Sequence, residues 1–359
     1  MTLILTEDDI EKIIEMPDCL RVIEETFRDF GLGQAVSRPR SHTYTHLAPG
    51  TFYNFKSMDG CVPRYGVHAL RLSSEVLQSQ DHLGKMREEK LPLAPGGRYV
   101  GLIILFDINT TEPLAIMQEA GLQRMRVGAT SGVAAKYLSR QDAEIVGLFG
   151  SGWQALPQVE ALARIRPLKL LKVFSLNPVN KKIFARKLSE RFQFEVQIAE
   201  EPRDVVAGSD IVACATNSSE PVFDGDWLVP GQHVNSLQAG ELDVRTLERA
   251  DIIGIRAFEK SLHFQQKASP ESPFNSEKTK RYNPSFDVKL RALGDIVAGV
   301  APGRVCDEEI TLFGGSGTGP SSGLGIQFAA VGKVAYDLAK ARGLGIELPV
   351  NLFTQTHHP

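Results

Sequence analysis

The chain has 359 residues, 42% of them apolar, which is enough for two domains of ordinary size with a core in each. Basic and acidic residues nearly balance at a formal net charge of −3, so nothing in the composition calls for nucleic acid or an anionic membrane surface as a partner. No apolar run approaches the ~20 residues that span a bilayer, and MTLILTEDDI turns acidic without a basic signal region, so a soluble, cytoplasmic protein is expected.

In chain order, Thr6-Glu7-Asp8-Asp9 places a hydroxyl three residues ahead of an acid and in front of Ile10, Ile13 and Ile14 at helical spacing, which predicts a capped helix. A second helix follows Pro17, with Leu20, Val22, Ile23, Phe27 and Phe30 as its core face and Gly31 or Gly33 as its stop. From Arg38 to Val76 the pattern changes to short β-like pieces broken by Pro-Gly and Asp-Gly turns, with cationic residues recurring at Arg38, Arg40, Lys56, Arg64, His68 and Arg71. The polar stretch from Leu77 to Gly97 is expected to be a surface excursion. VGLIILFD and EPLAIMQ around Asn109-Thr110-Thr111 predict a hairpin. GATSGVAAKYL then predicts a closely packed helix with Arg126 at its start, where a cation opposes the helix dipole and therefore suggests a bound anion.

The stretch from Ala143 to Asn177 is the most informative. An apolar run (Ile145, Val146, Leu148, Phe149) passes through Gly147, Gly150 and Gly152 into a helical segment, and a second apolar run (Leu170, Leu171, Val173, Phe174) ends in a polar turn. Strand, glycine turn, helix and strand within about 35 residues form the mononucleotide-binding half of a doubly wound sheet, where glycines admit a pyrophosphate to a helix N-terminus. EVQIAEE, SDIVACATNSSEPV, QHVNSLQ and ADIIGIR continue as parallel strands, with Thr216, Ser236, Leu237 and Gln238 at carboxyl ends where ligands bind in such sheets. Ser261 to Lys289 is polar and expected to wrap the surface. The Gly/Ser loop from Gly314 to Gly325, with Ser316, lies between a strand-like ITLF and the helix IQFAAVGKVAYDLAKARG, where it can face a cofactor. Cys19, Cys61, Cys214 and Cys306 are scattered and the eight histidines lack ligand spacing, so reduced thiols and no structural metal are expected.

LQRMRVGATSGVAAKYLSR, VGLFGSGWQA, SDIVACAT, PGQHVNSLQAGELD, GDIVAG and EITLFGGSG, in this order, resemble the ornithine cyclodeaminase and mu-crystallin family over nearly the whole chain. The resemblance implies an α/β fold: a Rossmann-type doubly wound domain at 120–319, inserted into a second α+β substrate-binding and dimerisation domain formed by 1–119 and 320–359. It also implies a homodimer, a nicotinamide cofactor, and a small imino, amino or 2-oxo acid as substrate. By match of position, Arg40 and Arg126 resemble the family's clamps for a substrate carboxylate, a task suited to the guanidinium fork. The family's G-x-K, whose lysine can carry a proton, reads Gly66-Val67-His68 here, with Arg71 three residues on; His68 can carry that proton near neutrality, and Lys56 is its rival.

Cofactor contacts are expected from Gly150, Gly152, Trp153 and Gln154 in the turn, and from Thr216, Ser236, Leu237, Gln238 and Ser316 at the strand ends. After the second strand there is no acid for a ribose 2′-hydroxyl; Ser175, Asn177 and Lys181 instead suit a 2′-phosphate, which favours NADP, with NAD possible. Three activities are compatible with the resemblance: an NAD(P)H-dependent reductase of a carboxylate-bearing imine, running also as an amino-acid dehydrogenase; an ammonia-releasing cyclodeaminase; and a non-catalytic cofactor-dependent binding protein. Ser236-Leu237-Gln238-Ala239-Gly240-Glu241-Leu242-Asp243 is shorter than the cyclodeaminase segment and lacks its aspartate, which counts against the second.

Overall fold

Two sheets of different construction divide the chain in a computed structural model that describes residues 1–82, 85–218, 220–238, 240–258, 261–266, 284–314 and 323–357. The first sheet begins with β1 (Thr2–Leu5) and two helices, α1 (Glu7–Ile13) and α2 (Met16–Gly31). Thr6 and Asp9 close the expected capping box, the Asp9 N–H donating to Thr6 Oγ1 at 3.3 Å and the Thr6 N–H to Asp9 Oδ2 at 3.0 Å. Strands β2 (Val36–Ser37), β3 (Ser41–Ala48), β4 (Thr51–Val62), β5 (Val67–His82), β6 (Lys85–Leu91), β7 (Val100–Asp107) and β8 (Pro113–Gln118) follow. The expected polar excursion after Leu77 is instead a continuation of β5 and its return as β6, because alternation persists and Leu77 finds an apolar niche with Tyr44 and Phe52.

Helix α3 (Ala120–Leu138) runs between the sheets and is buried on nearly every side, which its small residues from Gly128 to Ala135 permit. It starts six residues before Arg126, so Arg126 sits in the second turn and the dipole argument made from sequence does not apply.

Beyond it lies the second, wholly parallel sheet. Its elements are β9 (Ile145–Phe149), α4 (Ala155–Ile165), β10 (Leu170–Phe174), α5 (Pro178–Arg191), β11 (Glu195–Ile198), α6 (Pro202–Val206), β12 (Ile211–Cys214), β13 (His233–Ser236), α7 (Val244–Arg249) and β14 (Ile252–Ile255). After β15 (Leu262–Gln265) come β16 (Leu290–Ala292), α8 (Leu293–Ala298), β17 (Thr311–Gly314), α9 (Gly325–Arg342) and β18 (Ile346–Leu348). The order β11-β10-β9-β12-β13-β17-β14-β16 reverses direction between β9 and β12, the switch point at which doubly wound sheets bind ligands. β9 is almost wholly buried, and β12, β13, β14 and β17 are buried throughout, which explains the apolar text of β9, β12 and β14, whereas β13 buries His233, Asn235 and Ser236.

β15 departs from this scheme: it leaves the second sheet and pairs in parallel with β3 at the edge of the first, so part of the region expected to wrap the surface becomes a strand joining the sheets. α9 returns the chain to the first sheet and packs against β4 and β5. No helix among the described residues is long and apolar enough to cross a membrane.

Candidate active site

At the switch point β9 ends in Phe149 and the chain turns at Gly150, whose φ of +107° lies in the range that favours glycine. A Cβ there would fall 2.5 Å from the Ala215 carbonyl oxygen, so the turn rests directly on the chain leaving β12. Gly152, by contrast, has nothing within 4 Å of its Cβ direction and opens the turn ahead of α4. Gln154 precedes that helix with its Oε1 buried and without a hydrogen-bond partner, while Trp153 is half exposed beneath Arg124, 5.8 Å from ring centroid to guanidinium. The open glycine and the helix N-terminus fit the pyrophosphate of a dinucleotide.

Of the residues offered to a 2′-phosphate, Ser175 stays at the rim, its hydroxyl accepting from Ser151 Oγ at 3.0 Å. Asn177 is the N-cap of α5, its Oδ1 accepting from Val179 and Asn180 N–H at 3.0 Å each. Lys181 is turned away: its ammonium donates to the Ala199 carbonyl at 2.9 Å and lies 5.2 Å from the Phe174 ring. Both therefore serve the α5–β11 packing.

Glu241 was not singled out from sequence, yet it organises the neighbouring strand ends. Fully buried, its Oε1 accepts from the Thr216 N–H at 2.6 Å and Thr216 Oγ1 at 2.8 Å, and its Oε2 from Ser236 Oγ and the Leu237 and Gln238 N–H groups, each at 2.8 Å. Thr216, Ser236, Leu237 and Gln238 thus form one loop pair clamped by a carboxylate. An acid directly after a strand in small-residue text was the available signal. Ser316 lies outside the described residues.

Across the cleft, the first sheet presents a polar face. Alternation and the β4–β5 register (Asn54↔Glu75, Lys56↔Ser73, Met58↔Arg71) put Asn54, Lys56, Arg71 and Glu75 on one side, with His42 of β3 opposite Lys56 and His263 of β15 opposite His42. Arg71 is committed to Glu119, with Nε donating to Oε2 at 2.8 Å and Nη2 to Oε1 at 2.5 Å. Arg71 and Arg126 share the Phe328 ring of α9, at 5.8 and 5.0 Å from its centroid.

Arg126 is 5% exposed, and its partners are amides: Nε and Nη2 donate to Gln123 Oε1 at 3.1 and 2.7 Å, and Nη1 to Gln327 Oε1 at 3.1 Å. Burial, then the like charges of Arg256 and Arg71, press its pKa well below the ordinary value, with Glu119 opposing. Since a guanidinium keeps its proton in a protein, that pressure expresses a buried charge disposed to receive an anion. Gly323, where the described chain resumes, passes so close that a Cβ would lie 2.6 Å from Arg126 Nη1.

Arg40 stands just before β3, its carbonyl accepting from the Leu262 N–H at 2.7 Å, and its charge acts on Arg126, Arg256, Lys56 and His42. Arg256 was also missed: it is buried just beyond the end of β14, 5.5 Å from the Phe313 ring, and pushed down to about 10 by burial and by Arg40. Its signal was a cation closing an apolar strand.

Lys56 is ion-paired with Glu75, whose Oε1 also accepts from Asn54 Nδ2 at 2.9 Å and whose Oε2 meets Lys90 Nζ at 2.8 Å. Burial, then the charge of Lys90, pull the Lys56 ammonium down to about 8 against the opposing influence of Glu75. His42 is pushed to about 2 by burial and by Arg40 and Lys56; its neutral ring stacks on His263 at 4.6 Å.

His68 is not brought to this cluster. It alternates to the opposite face of β5 and lies 3.4 Å from Asp59 Oδ2, beside the Arg38–Asp59 pair at 2.5 Å.

A parallel doubly wound sheet with an open glycine turn, together with a first sheet that carries Lys56 and Arg71 on one face, defines a two-sheet dinucleotide-binding protein. The chain belongs to the ornithine cyclodeaminase/mu-crystallin family, whose model matches residues 1–343. It is 29% identical over 352 residues to alanine dehydrogenase from Archaeoglobus fulgidus, covering 97% of this chain and 98% of that protein. Among solved structures it is similar to the Δ1-pyrroline-2-carboxylate reductase of Thermococcus litoralis in complex with NADH and L-proline, with a TM-score of 0.75, 28% identity and coverage of 97% of this chain and 100% of that one. An archaeal alanine dehydrogenase dimer with bound NAD gives a TM-score of 0.76 at 28% identity, covering 97% and 99%.

Proposed function

We propose that the protein is a nicotinamide-dinucleotide-dependent oxidoreductase that reduces a carboxylate-bearing imine to an amino acid and runs the reverse dehydrogenation. The observation that carries this reading is Arg126, a buried guanidinium whose hydrogen bonds among the described residues go to amide oxygens, with the charges of Arg256, Arg71 and Arg40 acting on it. Arg126 anchors the substrate carboxylate, with Arg40 as second cation, and Arg71, tied to Glu119, supports that site from the sheet. A nicotinamide cofactor held at this turn would supply or accept the hydride. Lys56 holds the proton that keeps the imine nitrogen cationic, since it shares the face of β4 and β5 with Arg71 whereas His68 does not. Gly150, Gly152 and the start of α4 hold the pyrophosphate. With Asn177 and Lys181 engaged elsewhere, acceptance of a 2′-phosphate rests on Ser175 and on the lack of an acid beside it, so NADPH is accepted and NADH is bound as well. The relatives named alanine dehydrogenase and pyrroline-carboxylate reductase support this chemistry.

The division of labour follows the resemblance: 120–319 holds the cofactor, and 1–119 with 320–359 holds the substrate and pairs two copies. The half-buried row Leu70, Leu72, Leu102, Ile104 and Ile116 on the outer face of the first sheet is the surface that a second copy covers.

The test is a panel of cyclic imino acids, and of 2-oxo acids with ammonia or methylamine, followed by NADPH and NADH absorbance. Cofactor consumption with a carboxylate-bearing imine is expected. Ammonia release from ornithine without net cofactor change would instead assign a lyase, and ligand binding without turnover of any imine would overturn the enzyme reading.

A further inference from the structure

Lys56 is nearly buried. Its only carboxylate partner among the described residues is Glu75, and the second oxygen of Glu75 is occupied by Lys90, on the return strand β6. One carboxylate therefore bridges two ammonium groups, one nearly buried at 12% side-chain exposure and one at the rim at 47%. Asn54 fixes the bridge by donating to Oε1 at 2.9 Å. The register explains the geometry: Asn54 lies opposite Glu75, Lys56 is two residues on, and Lys90 pairs with Leu77 on the same face.

The other charged and titratable groups around Lys56 come from each element beside it. Arg40 and His42 approach from the β3 side and His263, stacked on His42, from β15, while Arg71 sits diagonally on β5 with its charge committed to Glu119. Arg40 also presses on the Lys56 ammonium through its charge and His42 is held neutral, while Glu75 and Lys90 are joined to Lys56 through one chain of contacts.

Resting on the imine-reductase reading, we propose that Glu75 and Lys90 are positioning residues that set the proton affinity of Lys56: Glu75 holds the ammonium in place and favours it, and Lys90 opposes it through the shared carboxylate. The two act with opposite sign. Lys90 draws on the Glu75 charge and repels a second cation, so its presence brings the Lys56 pKa into the working range; burial and Lys90 are indeed its two leading depressants, and Glu75 its leading support. Burial works to raise the Glu75 carboxyl, but Lys56 and then Lys90 outweigh it and hold it below its usual value, so it stays a carboxylate throughout that range.

The test is the pH profile of kcat/KM for imine reduction, which falls on the alkaline side as the acid loses its proton. Lys90→Met should move that limb up by about half to one pH unit, Glu75→Gln should move it down by a similar amount, and Lys90→Arg should restore it. Opposite shifts are a result that generalised structural damage does not produce. A limb that stays in place in Lys90→Met, or limbs that move the same way in both variants, would overturn the proposal. Should Glu75→Gln fail to fold, the pH dependence of Lys56 acylation by acetic anhydride, read by mass spectrometry in wild type and Lys90→Met, gives the same comparison without catalysis. Failure of the wild type to reduce any imine sinks the parent reading, whereas an active Lys56→Met that keeps the limb sinks this inference and the proton role of Lys56 while leaving imine reduction in place.

Discussion

Arg126 is a buried charge whose hydrogen bonds among the described residues go to amide oxygens, and a carboxylate is the group its fork completes. Truncating one member of such a buried, hydrogen-bonded charge pair costs ~2–5 kcal/mol. Arg126→Ala should therefore lower kcat/KM by roughly 10²-fold or more, and Arg126→Lys should recover little, since a point charge lacks the fork. Steady-state kinetics with a thermal melt as control measures this; near-normal kinetics would remove Arg126 from the site. The same assay separates two candidates for the proton. His68 faces away on the outer side of β5, so His68→Gln should keep the alkaline limb that Lys56→Met abolishes. A limb lost in His68→Gln would return the proton to the position where the family has lysine.

The nucleotide turn makes its prediction at the scale of an element, because its two glycines have different reasons to be there. Gly150 combines φ +107° with a Cβ direction 2.5 Å from a carbonyl oxygen, so Gly150→Ala carries backbone strain and a clash together and should lower stability by about 2–4 kcal/mol. Gly152→Ala meets nothing in the protein and should leave the melting temperature in place while weakening dinucleotide binding, because only a pyrophosphate seated on the turn would feel the added methyl. Differential scanning fluorimetry with and without NADH reads both. A Gly152→Ala protein that binds NADH as well as wild type would mean that the cofactor does not sit on this turn. The element is legible in the sequence because strand, turn, helix and strand are contiguous. The Glu241 clamp is not, because it joins the ends of β12 and β13 through one side chain 25 residues beyond Thr216.

At the scale of the whole molecule, the first sheet is two-sided. One face carries Lys56, Arg71 and α9, and the other carries Leu70, Leu72, Leu102, Ile104 and Ile116. This half-buried apolar row is where the proposed pairing of two copies is tested. Leu72→Glu should yield a monomer by light scattering on a size-exclusion column, with a lowered melting temperature if the pair stabilises each copy. A dimer of unchanged affinity would move the interface elsewhere.

The sequence by itself determined what is written in local order. The parallel nucleotide unit follows from apolar runs, glycine turn and helix in one continuous stretch, and the α1 cap from Thr6 and Asp9. Only the tertiary structure decided the rest, because each remaining point depends on a partner distant in the chain. Whether His68 or Arg71 looks into the cleft depends on which face of β5 is covered by α9, and three residues of separation put them on opposite sides. Lys181 is lysine in the sequence and a buried tie to Ala199 in the fold. Lys56, Glu75 and Lys90 come from three strands, and Arg256 reaches the site from beyond the end of a strand in the other sheet. Periodicity tells a strand that it has two faces; burial against the rest of the molecule tells it which one is inside.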